Sequence, residues 1–154
     1  MIRKPLVAEV AEIKSLIEPF ARQGKILPRS LHSLYTSIRD YWIIPGEDGA
    51  SGLKGCCALQ VSWNDLGEIR TLVVRKETQG TGLGLSLVRT CIKEAKTLGL
   101  KKLFVLTYVP GFFDKLGFYE VEKTSLPSKI WADCIHCQYF PDCQEVAMMF
   151  DLEE

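Results

Sequence analysis

The feature of this sequence that most restricts its fold is a glycine-rich turn at residues 79–84, Gln-Gly-Thr-Gly-Leu-Gly, which joins an apolar run to an amphipathic pattern. Glycine lets the backbone approach a ligand, and free N–H groups at a helix N-terminus favour negative charge. The spacing fits neither G-x-G-x-x-G nor the P-loop, which needs Gly-Lys-Ser/Thr. The turn therefore predicts a phosphate cradle between a strand and a helix, with a plain flexible turn as the alternative.

Apolar periodicity around this turn predicts helices and strands in alternation. Helical spacing places helices at 10–23, after the candidate N-cap Ser30, at 83–98 and at 112–116. Alternating or continuous apolar runs place strands at 41–44, 54–63, 68–74, 103–108, 118–121 and 146–152. Interleaved elements of this kind predict an α/β or α+β fold around a mixed sheet.

Length and charge limit the class of protein further. A chain of 154 residues fits a single domain, 1–154. Its 19 basic and 19 acidic residues cancel, so charge gives no argument for nucleic acid or an anionic membrane as partner. The N-terminus lacks a signal-peptide pattern, and no apolar run is long enough to span a bilayer. We expect a cytoplasmic protein with mostly reduced cysteines.

Two motifs carry a family resemblance. Gln79-x-x-Gly82-x-Gly84 resembles the pyrophosphate loop of the GNAT acetyltransferases, and the run 112–118, Phe-Phe-Asp-Lys-Leu-Gly-Phe, resembles their second signature. The resemblance implies the GNAT fold, with a mixed, mostly antiparallel central sheet that is splayed at the acetyl-CoA site. It also implies that acetyl-CoA is the co-substrate and that no metal is required. The residues expected to bind acetyl-CoA are Leu72, Val73, Val74, Gln79, Gly80, Thr81, Gly82, Leu83 and Gly84.

Three segments, 24–30, 102–107 and 126–129, are similar to the acetyltransferase domain of N-acetylglutamate synthases. That resemblance implies a small acidic amino acid as acceptor, most simply the α-amine of L-glutamate in arginine biosynthesis. It places Arg29 at the position that binds the glutamate carboxylates, and a guanidinium is a natural bidentate partner for a carboxylate. Arg70 and Lys129 are further cationic candidates, and each is a plain surface charge in the alternative interpretation.

The chemistry of acetyl transfer needs a deprotonated amine. Glu68 begins the strand expected to bind the co-substrate, where many GNAT enzymes place the carboxylate that removes the ammonium proton. Many also place a tyrosine on the short helix as general acid, and that position is Phe113 here. Tyr108, at the end of the preceding strand, is the substitute candidate. Glu68 as a solvated carboxylate and Tyr108 as a packing residue are the alternatives.

A cysteine cluster near the C-terminus, C-x-H-C-x5-C, has spacing that zinc sites use. A second Cys-x2-Cys is missing, so reduced cysteines without a metal are the favoured interpretation. The residues of this cluster are Cys134, His136, Cys137 and Cys143. Cys56, Cys57 and Cys91 fall in predicted strand and helix and are expected to be small core residues.

Two other functions stay open at this point. One keeps the acetyl transfer but changes the acceptor to another small amine, a polyamine or a protein N-terminus. The other is a non-catalytic sensor that binds an acyl-CoA or a metal through the cysteine cluster. A homodimer is compatible with the sequence but is not indicated by it.

Overall fold

The computed structural model describes residues 1–46, 52–126 and 145–152. These residues build one six-stranded sheet with helices on both faces. In chain order the elements are α1 (Val10–Arg22), α2 (Leu31–Thr36), β1 (Tyr41–Pro45), β2 (Leu53–Val61), β3 (Leu66–Val74), α3 (Leu83–Leu98), β4 (Lys102–Thr107), α4 (Pro110–Asp114), β5 (Tyr119–Val121) and β6 (Val146–Asp151).

The sheet has the strand order β1-β2-β3-β4-β6-β5. Neighbouring strands are antiparallel except for β3 and β4, which are parallel and are connected through α3. This arrangement confirms the predicted mixed, mostly antiparallel sheet. Its single parallel pair separates a β1-β2-β3 half from a β4-β6-β5 half.

Helix α3 covers one face of the sheet, and its sequence explains both of its ends. It packs one buried stripe, made by Leu87, Val88, Cys91 and Ala95, against the strands. It ends at Gly99, whose backbone is left-handed with φ 86°, because a residue without Cβ adopts that conformation at little cost. Both the helix and its glycine end were predicted from the sequence.

Helices α1 and α2 cover the opposite face. Val10, Ile13 and Ile17 are buried on one side of α1, against β1, β2 and the end of β3. The Ser30 hydroxyl accepts a hydrogen bond of 3.1 Å from the Ser33 N–H and so caps α2. The α1–α2 loop, which contains Arg29, therefore lies on this face, hereafter the front face.

The short helix α4 differs from the prediction in its bounds. It begins at Pro110 and ends at Asp114, two residues before the predicted 112–116. Proline is favoured at the first helical position, where its missing N–H would have no partner. Phe112 and Phe113 therefore lie inside the helix rather than at its beginning. They form an edge-to-face pair with ring centroids 5.0 Å apart.

The cysteines that the structure describes are core residues, as predicted. Cys56, Cys57 and Cys91 are buried free thiols, and burial raises the pKa of Cys56 to about 12. Lys129 and the cluster Cys134, His136, Cys137 and Cys143 lie outside the described residues. Among the described helices, none combines the length and apolar character that crossing a membrane requires.

Candidate active site

The two central parallel strands separate part of the way along β3. The β3–β4 ladder consists of Leu66–Lys102, Gly67–Leu103 and Glu68–Phe104. Beyond these pairs, β4 continues to pair with β6, whereas β3 from Ile69 onward has no ladder to β4. Backbone groups buried without a partner are costly, so an open strand edge is a place for a ligand to pair. Leu72, Val73 and Val74 lie on this open half of β3, as expected.

A bulge interrupts β3 at the open half. Across from β2, Val73 pairs with Cys56 and Arg70 with Ala58, so two residues of β3 stand opposite Cys57 alone. One of them is Thr71, the single non-glycine residue with positive φ (54°) in the described part of the chain. A β-branched residue in this conformation is strained, at a cost of about 1–2 kcal/mol. Such strained bulges are common beside active sites.

The bulge moves the even-numbered side chains of β3 from one face of the sheet to the other. Before it, Glu68 and Arg70 point to the front face, because Arg70 stands opposite Ala58, which is buried in the α1 cluster. After it, Leu72 and Val74 pack against the α3 cluster on the other face. One strand therefore turns polar side chains toward the α1–α2 loop and apolar ones toward α3.

The front-face residues form a polar strip between two apolar clusters. Glu68 and Arg70 are each 14% exposed, with Arg70 Nη1 3.9 Å from Glu68 Oε1. Arg70 Nη1 also donates a hydrogen bond to Gln60 Oε1 on β2. One side of the strip is the α1–α2 cluster, and the other is a cluster around Phe104 on β4. The strip lies where the β3–β4 ladder ends. Arg70 is the first front-face residue of β3 beyond Glu68–Phe104, the last pair of that ladder.

The α1–α2 loop brings Arg29 toward the same face. Lys14 of α1 donates a 2.9 Å hydrogen bond to the Arg29 carbonyl, which fixes the loop. Burial raises the pKa of Tyr41 to about 12, while a hydrogen bond with the Thr71 side chain and the positive charge of Arg29 act in the opposite direction. Tyr41 stands in a cross-strand row with Ala58 and Arg70 on the front face. The structure therefore places Arg29, on the α1–α2 loop, on the same face of the sheet as Glu68 and Arg70.

The glycine turn lies beyond the open end of β3 and leads directly into α3. Gly80 and Gly82 have φ of 86° and 85°, and a Cβ at either would meet no atom within 4 Å. Gly82 is the N-cap of α3 and supplies no side-chain cap. Gln79 Nε2 donates a 3.0 Å hydrogen bond to the Val74 carbonyl, which ties the turn to β3. Exposed glycine backbone at an uncapped helix N-terminus is suited to an anion such as a pyrophosphate.

Thr81, Leu83 and Gly84 complete the turn. Thr81 is exposed, and its hydroxyl donates a hydrogen bond to the Thr78 carbonyl at 2.5 Å. Leu83 begins α3 and packs partly against the α3 cluster. A Cβ on Gly84 would lie 3.6 Å from both Phe112 and Val74, which is ordinary contact. The turn therefore packs against both β3 and α4.

The aromatic residues near β4 divide into a buried set and an exposed residue. Phe113 is 2% exposed and contacts Phe118 edge to face at 5.2 Å between ring centroids. Tyr108, which follows β4, is 38% exposed. Of the two, Tyr108 carries the hydroxyl and the solvent access that a proton donor needs.

Gln60 and Thr71 belong to this site although the sequence did not single them out. In the sequence, Gln60 looks like an ordinary polar residue of an alternating strand, and Thr71 looks like an ordinary β-branched strand residue. Their roles follow from cross-strand register, which a single sequence does not show. Within the described ranges, no group of three or more His, Cys, Asp or Glu residues is arranged to hold a metal ion.

Comparison with known proteins identifies relatives of this chain. The model of the acetyltransferase (GNAT) family matches residues 10–120. An uncharacterized N-acetyltransferase of Chlorobaculum tepidum is 34% identical over 148 residues, which cover 96% of this chain and 94% of the relative. An amino-acid acetyltransferase of Mycobacterium tuberculosis is 36% identical over 132 residues, which cover 85% of this chain and 75% of the relative.

A solved structure agrees with these relatives. N-acetylglutamate synthase from Neisseria gonorrhoeae, complexed with coenzyme A and N-acetyl-glutamate, matches with a TM-score of 0.88 at 27% identity. The match covers 100% of this chain and 35% of the synthase chain. By these similarities the chain belongs to the GNAT family of acetyltransferases, which confirms the family, the fold and the enzyme class predicted from its two motifs.

Proposed function

We propose that this chain is an amino-acid N-acetyltransferase that transfers the acetyl group of acetyl-CoA to the α-amine of L-glutamate, in arginine biosynthesis. The observation that carries the proposal is the position of the front-face strip. Glu68 and Arg70 border the place where β3 and β4 separate, and Arg29 approaches the same face from its loop. The Mycobacterium relative is named an amino-acid acetyltransferase, and the Neisseria synthase was solved with coenzyme A and N-acetyl-glutamate.

Acetyl-CoA fits the part of the site that is made by the glycine turn and the open edge of β3. The glycine backbone of residues 79–84 and the N-terminus of α3 would hold its pyrophosphate. The open edge of β3 around Leu72 and Val74 would pair with its pantetheine amides, since this edge has no ladder to β4. Its acetyl group would then lie near the strand separation, within reach of an amine held on the front face.

The residues of the strip fit the proton transfers of the reaction. Glu68 would take a proton from the acceptor ammonium group, directly or through water, and the amine nitrogen would then form a bond to the thioester carbonyl carbon. A backbone N–H of the open β3 edge would stabilise the oxygen as it becomes negative. The C–S bond then breaks, Tyr108 would supply a proton to the leaving sulfur, and the nitrogen would lose its second proton to water as the amide forms.

The charge of the site favours a dicarboxylic acceptor over a polyamine. Arg29 and Arg70 both carry guanidinium groups on the front face, and a polycation would be repelled there. Carboxylates would instead gain charge-assisted hydrogen bonds, each contributing about 1.5–3 kcal/mol. Lys129 stays a prediction as a third cation. We place the reaction in the cytoplasm, where the buried thiols of the core stay reduced.

The test is a thiol-release assay of the purified protein with acetyl-CoA and each of the common amino acids, with mass spectrometry of the product. We expect glutamate to give the highest kcat/KM and the product to be N-acetylglutamate. A higher kcat/KM with a neutral amine or a polyamine would overturn the glutamate proposal and leave the acetyltransferase. Stoichiometric bound metal without turnover would favour the sensor function instead.

A further inference from the structure

The polar strip contains one residue with no role in the reaction proposed above, Gln60 on β2. Gln60 stands directly opposite Glu68 in the antiparallel β2–β3 ladder. Arg70 is two residues further along β3, on the same face and diagonal to Gln60. The small residue Ala58 is opposite Arg70 and leaves room for the guanidinium to reach across toward Gln60. The three polar side chains therefore share one patch of the sheet.

The contacts of Arg70 Nη1 locate one end of the guanidinium. Arg70 Nη1 donates to Gln60 Oε1, whereas Nη1 is 3.9 Å from the nearest Glu68 oxygen. That distance is longer than a hydrogen bond. A guanidinium has a strong tendency to pair bidentately with a nearby carboxylate. The Gln60 amide thus holds the Nη1 end of Arg70 beside Glu68.

The geometry of an amino acid indicates what Arg70 contacts. The α-amine and the α-carboxylate of any amino acid are bonded to the same carbon. If Glu68 takes the proton of the amine, the α-carboxylate must lie within a few ångströms of Glu68. Arg70 occupies that neighbourhood, with its Nη1 3.9 Å from Glu68 Oε1.

Arg29 comes from a different element than Glu68 and Arg70, the loop between α1 and α2, where Lys14 of α1 binds its carbonyl. Helix α1 packs in the same cluster as Tyr41, which is two strands away from Arg70 in the row Tyr41–Ala58–Arg70. Neighbouring strands are about 4.8 Å apart, so this row places the backbones of Tyr41 and Arg70 roughly 10 Å apart. Two cations separated on this scale can hold the two carboxylates of one dicarboxylic amino acid between their side chains.

We propose that Gln60 is a positioning residue that directs Arg70 to the α-carboxylate of the acceptor, while Arg29 binds its side-chain carboxylate. This assignment rests on the proposed function, because it needs an amino-acid acceptor. It divides recognition into two parts. The Gln60–Arg70 pair recognises that the acceptor is an α-amino acid, and Arg29 recognises which one.

Three acceptors distinguish recognition of the α-carboxylate from recognition of the side-chain carboxylate. They are glutamate, glutamine, which has a side-chain amide, and isoglutamine, which has an α-amide in place of the α-carboxylate. The kcat and KM are measured with each acceptor for wild type, Gln60→Leu and Arg29→Ala. We expect Gln60→Leu to raise KM for glutamate and for glutamine by roughly tenfold and to leave KM for isoglutamine unchanged. We expect Arg29→Ala to raise KM for glutamate and for isoglutamine, which both have the side-chain carboxylate, and to leave KM for glutamine unchanged. KM for acetyl-CoA should not change in either variant.

A double-mutant cycle tests whether Gln60 acts through Arg70. In the Arg70→Leu background, adding Gln60→Leu should have no further effect on the KM for glutamate. If Arg70→Leu does not fold, Arg70→Lys replaces it, because a point charge lacks the guanidinium fork. The matched control is Gln23→Leu at the exposed end of α1, which should leave all three acceptors unchanged.

The outcomes distinguish this proposal from the proposed function. Equal losses with all three acceptors, or effects of Gln60→Leu and Arg70→Leu that simply add, would overturn the positioning role of Gln60. A wild-type enzyme that acetylates no α-amino acid would instead overturn the proposed function itself. Thermal melting of each variant shows whether a change in KM accompanies a loss of folding.

Discussion

The two ends of β3 differ in how their backbone is satisfied. At the first end, residues 66–68 pair with β4 on one side, and Gly67 and Glu68 pair with β2 on the other. At the second end, residues 69–74 keep their ladder to β2, have none to β4, and contain a bulge with a strained threonine. The first end is held by the fold alone, whereas the second offers an edge that a substrate can complete. Stability and function are thus separated along nine residues of one strand.

The largest loss of stability should come from a substitution at the first end of β3, where the strand pairs with β4. Phe104, which pairs with Glu68 from β4, is 0% exposed, so Phe104→Ala should lower the free energy of unfolding by about 3–5 kcal/mol. Leu72→Ala, at the open end, removes a half-buried side chain and should cost about 1–2 kcal/mol. Urea denaturation of the ligand-free proteins measures both. Equal losses would mean that the two ends do not differ in stability.

The next effect concerns the boundary between the two ends. Glu68→Gln should lower kcat by roughly 10²-fold, because it removes the proposed base. The loss should shrink at high pH, where more of the acceptor amine is already deprotonated. Steady-state kinetics across pH measure this, with Glu120→Gln, an exposed glutamate of β5, as control. A loss that does not vary with pH would make Glu68 a structural carboxylate.

A smaller effect is expected where the glycine turn meets α3. Gly82 and Gly99 are at opposite ends of this helix, with φ of 85° and 86°, and a Cβ on either meets no atom within 4 Å. Gly82→Val and Gly99→Val should therefore cost similar stability, about 1–2 kcal/mol. Coenzyme A affinity, measured by calorimetry, should fall only in Gly82→Val, by roughly tenfold or more if the helix N-terminus binds the pyrophosphate. Unchanged affinity in a folded Gly82→Val protein would show that the phosphate site lies elsewhere.

The smallest effect should come from the bulge itself. In Thr71→Gly, relief of the left-handed strain offsets the lost side-chain packing and the lost hydrogen bond to Tyr41, so the free energy of unfolding should change by less than about 1 kcal/mol. Thr107→Gly is the control, because Thr107 is a similarly buried threonine at the end of β4 that also has a side-chain hydrogen bond, from the Val109 N–H, but no positive φ. It should cost clearly more. Equal losses in the two variants would mean that Thr71 stores no strain.

Local patterns in the sequence were sufficient for much of this structure. The stripe Leu87–Val88–Cys91–Ala95, the glycine at each end of α3 and the Ser30 cap each depend on residues within a turn of one another. The same holds for the glycine turn, which is a local motif with a local mechanism. The bounds of α4 were wrong by two residues, because Pro110 begins that helix, and so were the end of β2 and the start of β3.

The features that the sequence did not reveal depend on pairing between distant segments. Residues 69–74 look like an ordinary strand, and the bulge exists only in relation to the register of β2. Gln60 acquires its partner Arg70 by the same register. The front-face site thus combines residues that were identified one at a time by resemblance, such as Arg29 and Glu68, with others that only the pairing of β2 and β3 shows.

The bulge at Thr71 also has an evolutionary consequence. Deleting Thr71 would place Leu72 opposite Cys57 and keep Arg70 opposite Ala58 and Val73 opposite Cys56. Every other side chain of β3 would keep its present face, and the strained backbone would disappear. A single-codon deletion is therefore a short route to a regular strand that leaves the fold intact. The strain at Thr71 is therefore a cost that the loss of one residue could remove, and the Thr71 side chain offsets part of it by its hydrogen bond with Tyr41.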